Sequence, residues 1–341
     1  MKKLTKRETT AILGRGIPAY LLGYPTVVSF EMTHSCNANC HHCNMGGMVK
    51  DEKRIGPADY RRLMRYLKPV IVQLSGGEPL LREDFTEVMR GIKPKGRSTP
   101  YMIVVTNGWL LDKEKYLALR EAGMNQLSIS VCFPDRRHDE WRRINGLFDH
   151  LNRTVPELVS LGYDDIVLNS AITRENMRYV LDLARLAERW GVSISFSAYS
   201  VLRTGEQKYN ISEPADLEIL RGQLEELKAY KNENCGRILN ADFNIEGTFD
   251  FFKYGEIKPC SAGRHFLVVT PSGYLKPCSM HDKNYTSLRQ IQRSFVPSNQ
   301  CGGCYVSIRS YLDKHLPELV KIYLAAHSLN HKRNGRAVKV A

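Results

Sequence analysis

The sequence predicts an α/β fold in which six strand–helix units form a parallel sheet that curves into an open, partial (β/α)6 barrel. Apolar, β-branched runs typical of strands occupy residues 26–30, 70–74, 101–105, 126–131, 166–170 and 193–197. Amphipathic helical patterns lie between them at 58–67, 84–92, 113–122, 149–161 and 177–190. Strands that alternate with helices at this spacing indicate βα units, and the functional site of such a sheet lies at the carboxyl ends of its strands.

We expect five segments along the chain, because 341 residues are enough for one large domain and a smaller one. They are an N-terminal arm (1–25), the barrel core (26–205), a helical connector (206–255), a turn-rich module that carries cysteines (256–310), and a C-terminal helix with a basic tail (311–341). In the connector, residues 213–231 have the pattern of a charged amphipathic helix. A last helix is predicted over 310–329.

The composition is that of an ordinary globular protein, with 43% hydrophobic and 25% charged residues. No run is long enough to span a bilayer, and the basic, polar start at 1–10 does not predict a secretory signal. The net charge of +13 is spread along the chain, with small concentrations at 2–7 and 331–339. No zinc-finger, RNA-recognition or helix-turn-helix pattern accompanies it. We therefore expect a cytoplasmic protein with solvated basic termini and no strong nucleic-acid signal.

Seven of the nine cysteines fall into two close-spaced groups, a pattern that in a reducing compartment indicates metal binding more often than disulfides. The first group is Cys36, Cys40 and Cys43, a C-x3-C-x2-C loop directly after the first predicted strand. Three thiolates can hold three irons of a [4Fe–4S] cube and leave the fourth iron open to another ligand. A zinc loop with His41 or His42 as a further ligand is the alternative.

The second group lies near the end of the chain and contains Cys260, Cys278, Cys301 and Cys304. A predicted hairpin turn at 270–274 brings the first two of these together. Four thiolates can ligate one complete [4Fe–4S] cluster, and a zinc ribbon is the alternative. Cys132 and Cys235 belong to neither group, and a small, buried apolar role is expected for each.

The first cysteine group and the segments after it resemble the radical S-adenosylmethionine (SAM) superfamily over about residues 26–200. The family motif C-x3-C-x-aromatic-C is matched with His42 at the aromatic position, and Gly76, Gly77, Glu78 and Pro79 match the GGEP motif. The resemblance implies that the GGEP segment binds the SAM amino group. Glycines let a backbone approach a ligand closely, and a carboxylate partners an ammonium.

Weaker matches to the same family follow along the chain. Asn107 lies in a TNG segment, Arg142 in an HD-x-x-R segment, and Cys132 replaces the usual Asp of an S-x-D strand. The resemblance implies SAM contacts from four residues, namely Asn107, Ser130, Arg142 and Asn169. A plain turn around Asn107 and a surface salt bridge of Arg142 are the alternatives.

The second cysteine group, with Gly273 between its first two members, resembles the twitch module, the shortened form of the SPASM extension. The full extension carries further cysteines, and this chain has none beyond Cys304. The resemblance therefore implies one auxiliary [4Fe–4S] cluster with four ligands.

The resemblance also implies an activity, that of a radical SAM oxidoreductase-type enzyme. Such an enzyme reductively cleaves SAM, and the resulting 5′-deoxyadenosyl radical takes a hydrogen atom from an unactivated carbon. A fully ligated second cluster would take back one electron, so a net oxidation is expected. Redox-neutral epimerisation, with Cys132 or Cys235 as the hydrogen-atom donor, is the nearest alternative. Modification of a peptide or a tRNA, and a non-catalytic zinc protein, also remain open.

We expect a small-molecule or lipid substrate, because only about 25 residues precede the first strand, where peptide-modifying relatives often carry a longer domain. A one-electron donor such as flavodoxin or ferredoxin is the expected protein partner. The apolar, aromatic segment 11–24 either rests on a membrane surface with the basic tail or packs under the barrel, and we favour packing.

Overall fold

The computed structural model describes residues 6–233 and 237–322. Six parallel strands form in chain order at the predicted places, within a residue or two: β1 Val27–Glu31, β2 Ile71–Ser75, β3 Tyr101–Thr106, β4 Gln126–Ser130, β5 Ile166–Ile172 and β6 Ser193–Ala198. Two further strands, β7 Phe266–Val269 and β8 Leu275–Lys276, extend the sheet beyond β1. The sheet order is β6-β5-β4-β3-β2-β1-β7-β8, and only the β7–β8 pair is antiparallel.

Helices connect the strands and cover the outer face of the sheet. They are α1 Lys6–Leu21, α2 Pro57–Leu67, α3 Phe85–Ile92, α4 Lys113–Glu121, α5 Arg137–Arg142, α6 Leu147–Ser160, α7 Val180–Arg189, α8 Pro214–Glu233, α9 Asp242–Tyr254, α10 Leu288–Gln290 and α11 Ser307–Leu312. A π-helical turn, Ile291–Phe295, continues α10. The predicted helix at 213–231 corresponds to α8, whereas α9 was not predicted within the connector.

Helix α3 illustrates how the apolar period builds the core. Phe85, Val88, Met89 and Ile92 recur at three- and four-residue spacing and are each at most 3% exposed. This spacing puts all four on one face of the helix, and that face packs against the sheet. Burying each such side chain stabilises the fold by about 1.5–3 kcal/mol.

The inner face of the sheet lines a cavity of about 1680 Å³. Residues on a strand alternate between two faces. Many inward positions carry small or polar side chains, namely Ser29, Glu31, Gln73, Ser75, Ser128, Ser130, Asn169, Ser195 and Ser197. Others are apolar, namely Val27, Ile71, Ile103, Val105 and Val167. Closed (β/α)8 barrels fill the same space with bulky branched residues. The interior of this sheet is therefore a chamber and not a packed core.

The C-terminal segment meets both edges of the six-stranded sheet. On one edge, β7 pairs in parallel with β1, from Val27 opposite Phe266 to Phe30 opposite Val269. On the other edge, the Ala198 amide donates to the Tyr305 carbonyl at 3.1 Å. The predicted hairpin turn at 270–274 forms and joins β7 to β8.

The helix predicted over 310–329 differs in the structure. Helix α11 begins earlier, at Ser307, and ends at Leu312, and a second helical stretch covers 316–322 after a break at 313–315. The Asp313 carboxylate accepts a hydrogen bond from the Ser261 amide at 2.7 Å, so the break ties the helix to the cysteine module. The remainder of the predicted helix and the basic tail lie outside the described residues.

The apolar segment 11–24 forms most of α1, which packs at the amino ends of the strands. The Tyr20 ring stacks on the His265 ring with centroids 4.1 Å apart, and Arg15 donates to the Thr99 hydroxyl at 2.5 Å. Membrane contact by this segment stays a prediction. In the described parts of the chain, no helix has both the length and the apolarity needed to cross a bilayer.

Candidate functional site

The first cysteine loop follows β1 at the carboxyl edge of the sheet. Within the loop, the Cys36 amide donates to the Gly47 carbonyl at 2.8 Å and the Cys43 amide to the Cys40 carbonyl at 3.2 Å. Burial raises the pKa of Cys36 to about 11, and the nearby charges of Glu78, Cys40 and Cys43 add to this. Such coupling requires the three thiols to lie close together, and they can all ionise only beside a strong positive charge.

The GGEP segment lies directly against the backbone of this loop. The Gly77 amide donates to the Thr33 carbonyl at 2.7 Å, and the Glu78 amide donates to the Ser35 carbonyl at 2.9 Å. A Cβ atom would lie 2.4 Å from the Thr33 oxygen at Gly76 and 2.1 Å from the Ser35 oxygen at Gly77. Gly76 also has a φ of +117°. Both glycines are therefore required for the approach of the two loops.

The Glu78 side chain is 1% exposed and faces the end of β3. Its carboxylate accepts hydrogen bonds from the Thr106 hydroxyl at 2.7 Å, the Asn107 amide at 2.8 Å and the Leu80 amide at 3.2 Å. Burial raises the pKa of Glu78, although these bonds and the Arg142 charge oppose the rise. A carboxylate offers about four acceptor positions, so three are used inside the protein and about one remains for a ligand.

Asn107 ties the end of β3 to the first cysteine loop. Its side-chain amide donates to the Asn37 side chain at 2.7 Å, and its oxygen accepts from the Trp109 amide at 2.9 Å. The TNG segment is thus more than a plain turn. Farther along the sheet, Ser130 and Asn169 are direct neighbours in register on β4 and β5.

Arg142, at the end of α5, is 8% exposed and points at two cysteine sulfurs. Its guanidinium donates to Cys40 Sγ at 3.5 Å and to Cys132 Sγ at 3.1 Å. Burial alone would lower the pKa of Arg142, but the Cys132 and Cys40 charges raise it overall. A surface salt bridge is wrong for this residue, because it is buried and has no carboxylate partner among the described residues.

Cys132 is fully buried behind Arg142. It packs in a small aromatic cluster with Phe133, Trp141, Tyr199 and Tyr209, and none of its atoms lines either cavity described here. This position agrees with the expected buried apolar role and is unfavourable for a hydrogen-atom donor, which must touch the substrate. Cys235 lies outside the described residues.

Five buried side-chain nitrogens around the first cysteine loop lack a hydrogen-bond partner in the described structure: Asn37 Nδ2, His42 Nδ1, His138 Nε2, Trp141 Nε1 and Arg142 Nε. Most buried polar groups in proteins are paired, so a gathering of unpaired ones indicates a polar ligand. The His42 ring stacks on the Trp141 ring with centroids 5.6 Å apart and planes 11° apart. Three thiols and a ring of unpaired nitrogens therefore suit an iron–sulfur cluster with a polar ligand beside it.

Ten of the predicted site residues line one small cavity of about 240 Å³. They are Cys36, Cys40, His42, Cys43, Gly76, Gly77, Glu78, Asn107, Ser130 and Arg142. Asn169 lines the large chamber instead, and Pro79 lines neither cavity but begins the short helical turn Pro79–Leu81. The ten residues of the small cavity lie at or after the carboxyl ends of four different strands. The first and last of them, Cys36 and Arg142, are more than a hundred positions apart in the sequence.

The four cysteines of the second group also converge. Burial raises the pKa of Cys278 to about 12, and the charges of Cys304, Cys260 and Cys301 add to this. All four cysteines also line the large chamber.

Arg309 is a functional candidate that sequence reasoning missed. It is 6% exposed and donates to the Cys304 Sγ at 3.6 Å, the Pro259 carbonyl at 3.2 Å and the Asp313 carboxylate at 2.8 Å. It also contacts the carbonyls of Cys304 and Ile257. One buried cation thus holds both ends of the second cysteine group. The available signal was the Arg–Asp pair at i, i+4 directly after the C-x2-C pair.

The large chamber is lined by the cysteines of the second group and by neighbours of the first cysteine loop. One part of its wall carries His42, Met45, Gly76 and Arg142, and another part carries Cys260, Cys278, Cys301 and Cys304. The small cavity shares several wall residues with it, including Ser130 and Arg203. A molecule in the chamber can therefore touch the surroundings of both groups.

Comparisons with known proteins agree with this site. Residues 30–187 match the family model of the radical SAM superfamily. The chain is 25% identical to the AdoMet-dependent heme synthase of Oleidesulfovibrio alaskensis, over 78% of this chain and 72% of that protein. It is 28% identical to the probable GTP 3′,8-cyclase of Methanothermobacter thermautotrophicus, over 77% of this chain and 87% of that protein.

The fold also matches solved structures of SuiB from Streptococcus suis. The SuiB structure bound to S-adenosylmethionine has a TM-score of 0.62 at 16% identity and covers 81% of this chain and 65% of SuiB. The structure bound to the precursor peptide SuiA has a TM-score of 0.63 and covers 86% of this chain and 71% of SuiB. This chain therefore spans about two thirds of the SuiB length. The cysteine loop and the GGEP segment both lie within residues 30–187, the part of the chain that matches the radical SAM superfamily.

Proposed function

We propose that Cys36, Cys40 and Cys43 hold a [4Fe–4S] cluster whose open iron binds SAM. When bound, the cluster and SAM would supply a 5′-deoxyadenosyl radical that removes a hydrogen atom from a substrate carbon. The observation that carries this proposal is the small cavity, which joins the three cysteines to Gly76, Glu78 and Ser130. The chain's own residues would bind and orient the reactants there.

The roles of these residues follow from their surroundings. The Glu78 carboxylate holds the ends of β2 and β3 together, and its remaining acceptor position suits the SAM ammonium. The unpaired Arg142 Nε suits the SAM carboxylate, while the rest of that guanidinium supports the cluster thiolates. Ser130 and Asn169 would contact SAM from β4 and β5.

We further propose that the second cysteine group forms a twitch-type module with an auxiliary [4Fe–4S] cluster. All four thiols would be used as ligands, so this cluster has no open position for substrate. Its four cysteines and the SAM site open on one chamber, which supports transfer of an electron from the substrate radical to it. The net reaction would then be an oxidation, and a donor such as flavodoxin or ferredoxin would reduce the first cluster.

We favour a small molecule with polar groups over a purely hydrocarbon lipid. The chamber wall is mixed, because apolar side chains such as Ile71, Ile103 and Val105 line it beside hydroxyls and amides. Those hydroxyls and amides would lack partners against an apolar ligand. The relatives carry names that include a heme synthase and a GTP cyclase, and SuiB is seen with a peptide. A peptide segment is therefore the second candidate substrate. Epimerisation with Cys132 as donor is disfavoured by the burial of that thiol.

Anaerobic reconstitution followed by a SAM-cleavage assay tests the first part of the proposal. Reduced protein should convert SAM to methionine and 5′-deoxyadenosine, and Cys40→Ala should abolish the reaction. Cys278→Ala is the matched variant, since it removes a thiol of the second group and should retain some cleavage. Stoichiometric zinc without iron–sulfur absorbance, or S-adenosylhomocysteine as the sole product, would contradict the proposal.

A further inference from the structure

Arg203 stands out among the cations that line the chamber. Its guanidinium donates to the Met45 Sδ at 3.2 Å and lies 3.9 Å from the Cys43 Sγ. In the described parts of the chain these two sulfurs are its only partners, and no carboxylate pairs with it. A thioether is a weak acceptor, so most of the five N–H groups of this fork are free to bind a ligand.

The other cations of the chamber wall are engaged by the protein. Their partners are sulfurs for Arg142, Asp242 for Lys231 at 2.7 Å, the Gly191 carbonyl for Arg237 at 2.7 Å, and Asp313 for Arg309 at 2.8 Å. Among the described chamber cations, Arg142 and Arg203 have sulfur partners alone, and Arg142 is already placed at the proposed SAM carboxylate.

The backbone around Arg203 places it between the two cysteine groups. It ends the short helical turn Val201–Arg203, which follows β6 at the carboxyl edge of the sheet. The Ser200 hydroxyl at the start of this turn donates to the Gly303 carbonyl at 2.6 Å, between Cys301 and Cys304. A ligand held by Arg203 therefore lies beside the first cysteine loop and within the wall that the second group shares.

We infer that Arg203 binds an anionic oxygen group of the substrate, a carboxylate or a phosphate. An arginine fork matches both groups in a bidentate manner, and Arg203 is half-buried in the chamber wall. The substrate is then a polar acid and not a neutral lipid. This inference rests on the proposed function, because only an enzyme has a substrate. Anion binding by Arg203 can nevertheless be measured without turnover.

The test uses protein loaded with both clusters and saturated with SAM under anaerobic conditions. Inorganic pyrophosphate represents the phosphate class and succinate represents the carboxylate class, and each is titrated by calorimetry. Wild-type protein should bind one of them saturably. Arg203→Met should weaken that binding by about tenfold or more, since it removes charge-assisted hydrogen bonds. Arg203→Lys keeps the charge but loses the fork and should weaken it less.

Arg136→Met is the matched control, because the Arg136 side chain is 79% exposed and pairs with Asp149 on the surface. It should leave the affinity for the probe unchanged, and iron content and circular dichroism should be equal in all variants. The inference is overturned if wild type binds neither probe, or if Arg203→Met binds it as tightly. A loss of SAM affinity by the same factor would also overturn it, since Arg203 would then belong to the SAM site.

The proposed function and the anion site fail separately in these experiments. Wild-type protein that binds a probe through Arg203 but forms no 5′-deoxyadenosine would contradict the proposed function alone. Protein that cleaves SAM but shows no Arg203-dependent binding of pyrophosphate or succinate would contradict the anion site alone.

Discussion

Replacing Arg309 by Met should lower the stability of the second cysteine module and the reduction potential of the auxiliary cluster proposed for it. The side chain is almost fully buried, and its loss leaves the Asp313 carboxylate without its cation. Breaking a buried ion pair from one side costs about 3–5 kcal/mol. The Asp313→Asn, Arg309→Met double variant has no orphaned charge and should recover part of that loss.

The change in the reduction potential follows from the distance between the Arg309 charge and the cluster. The guanidinium lies 3.6 Å from the Cys304 sulfur. At an effective dielectric constant of about 20, a unit charge about 6 Å from the added electron contributes about 3 kcal/mol, or about 120 mV for a one-electron couple. Removing a positive charge disfavours reduction, so the potential of the second cluster should fall by about this amount. Arg309→Lys keeps the charge, so the potential should fall much less in this variant.

A redox titration monitored by electron paramagnetic resonance measures both clusters in the same sample. The cluster at Cys36, Cys40 and Cys43 is the internal reference, and its potential should stay unchanged. An Arg309→Met protein that retains its iron and shows a second-cluster potential within about 20 mV of wild type would refute the electrostatic reasoning, since about 120 mV is expected. Equal iron retention in the single and double variants would refute the role of the ion pair.

Three further outcomes are expected. Changing Cys36, Cys40 and Cys43 together to Ala should reduce iron from about eight to about four per chain, measured after anaerobic reconstitution; no change in iron would disprove the assignment. Cys278→Ala should abolish product but leave some 5′-deoxyadenosine, and a folded variant with a normal product rate would make the second cluster merely structural. Burial and then Arg264 lower the pKa of His265 to about 4, against the opposing charge of Asp313. The neutral ring therefore stabilises the fold above about pH 6.5, and up to about 3 kcal/mol is lost as the pH falls from there to about 4. His265→Phe keeps the ring contact and should flatten this part of the pH dependence of the urea midpoint; an unchanged acid sensitivity would count against it.

The six parallel strands were predictable because each is a short β-branched run between helical patterns. The hairpin turn after β7 was also predicted, but the place of β7 in the sheet was not, since no helix follows it to suggest a βα unit. The pairing of β7 with β1 joins distant parts of the chain, and local patterns do not encode such a contact.

The polar positions of the chamber wall are visible in the sequence, but the sequence does not show that they face a cavity. Ser29, Gln73, Ser128 and Asn169 alternate with apolar neighbours on their strands. Such alternation ordinarily indicates a sheet with one face in water. In the structure this face instead lines the large chamber.

Part of the site could be predicted from the sequence and part could not. The three cysteines of the first group lie in one loop and Gly76 and Gly77 in another, so the spacing within each loop made its motif recognisable. The partners of Glu78 at the end of β3, and those of Arg142 at Cys40 and Cys132, depend on how separate strands meet. Resemblance named these residues, but only the packed structure gives the donors and acceptors around them.

The attachment of the C-terminal segment to both edges of the sheet has a consequence for biosynthesis. Until residues 266–269 leave the ribosome, β1 presents unpaired backbone groups. Most of the outer edge of β6 is covered earlier, by residues 237–240. At about 5–20 residues per second, β7 is made roughly 4–14 s after β6. Nascent chains are therefore exposed to edge-to-edge association during this period, and a fragment that stops before β7 would remain in that vulnerable state.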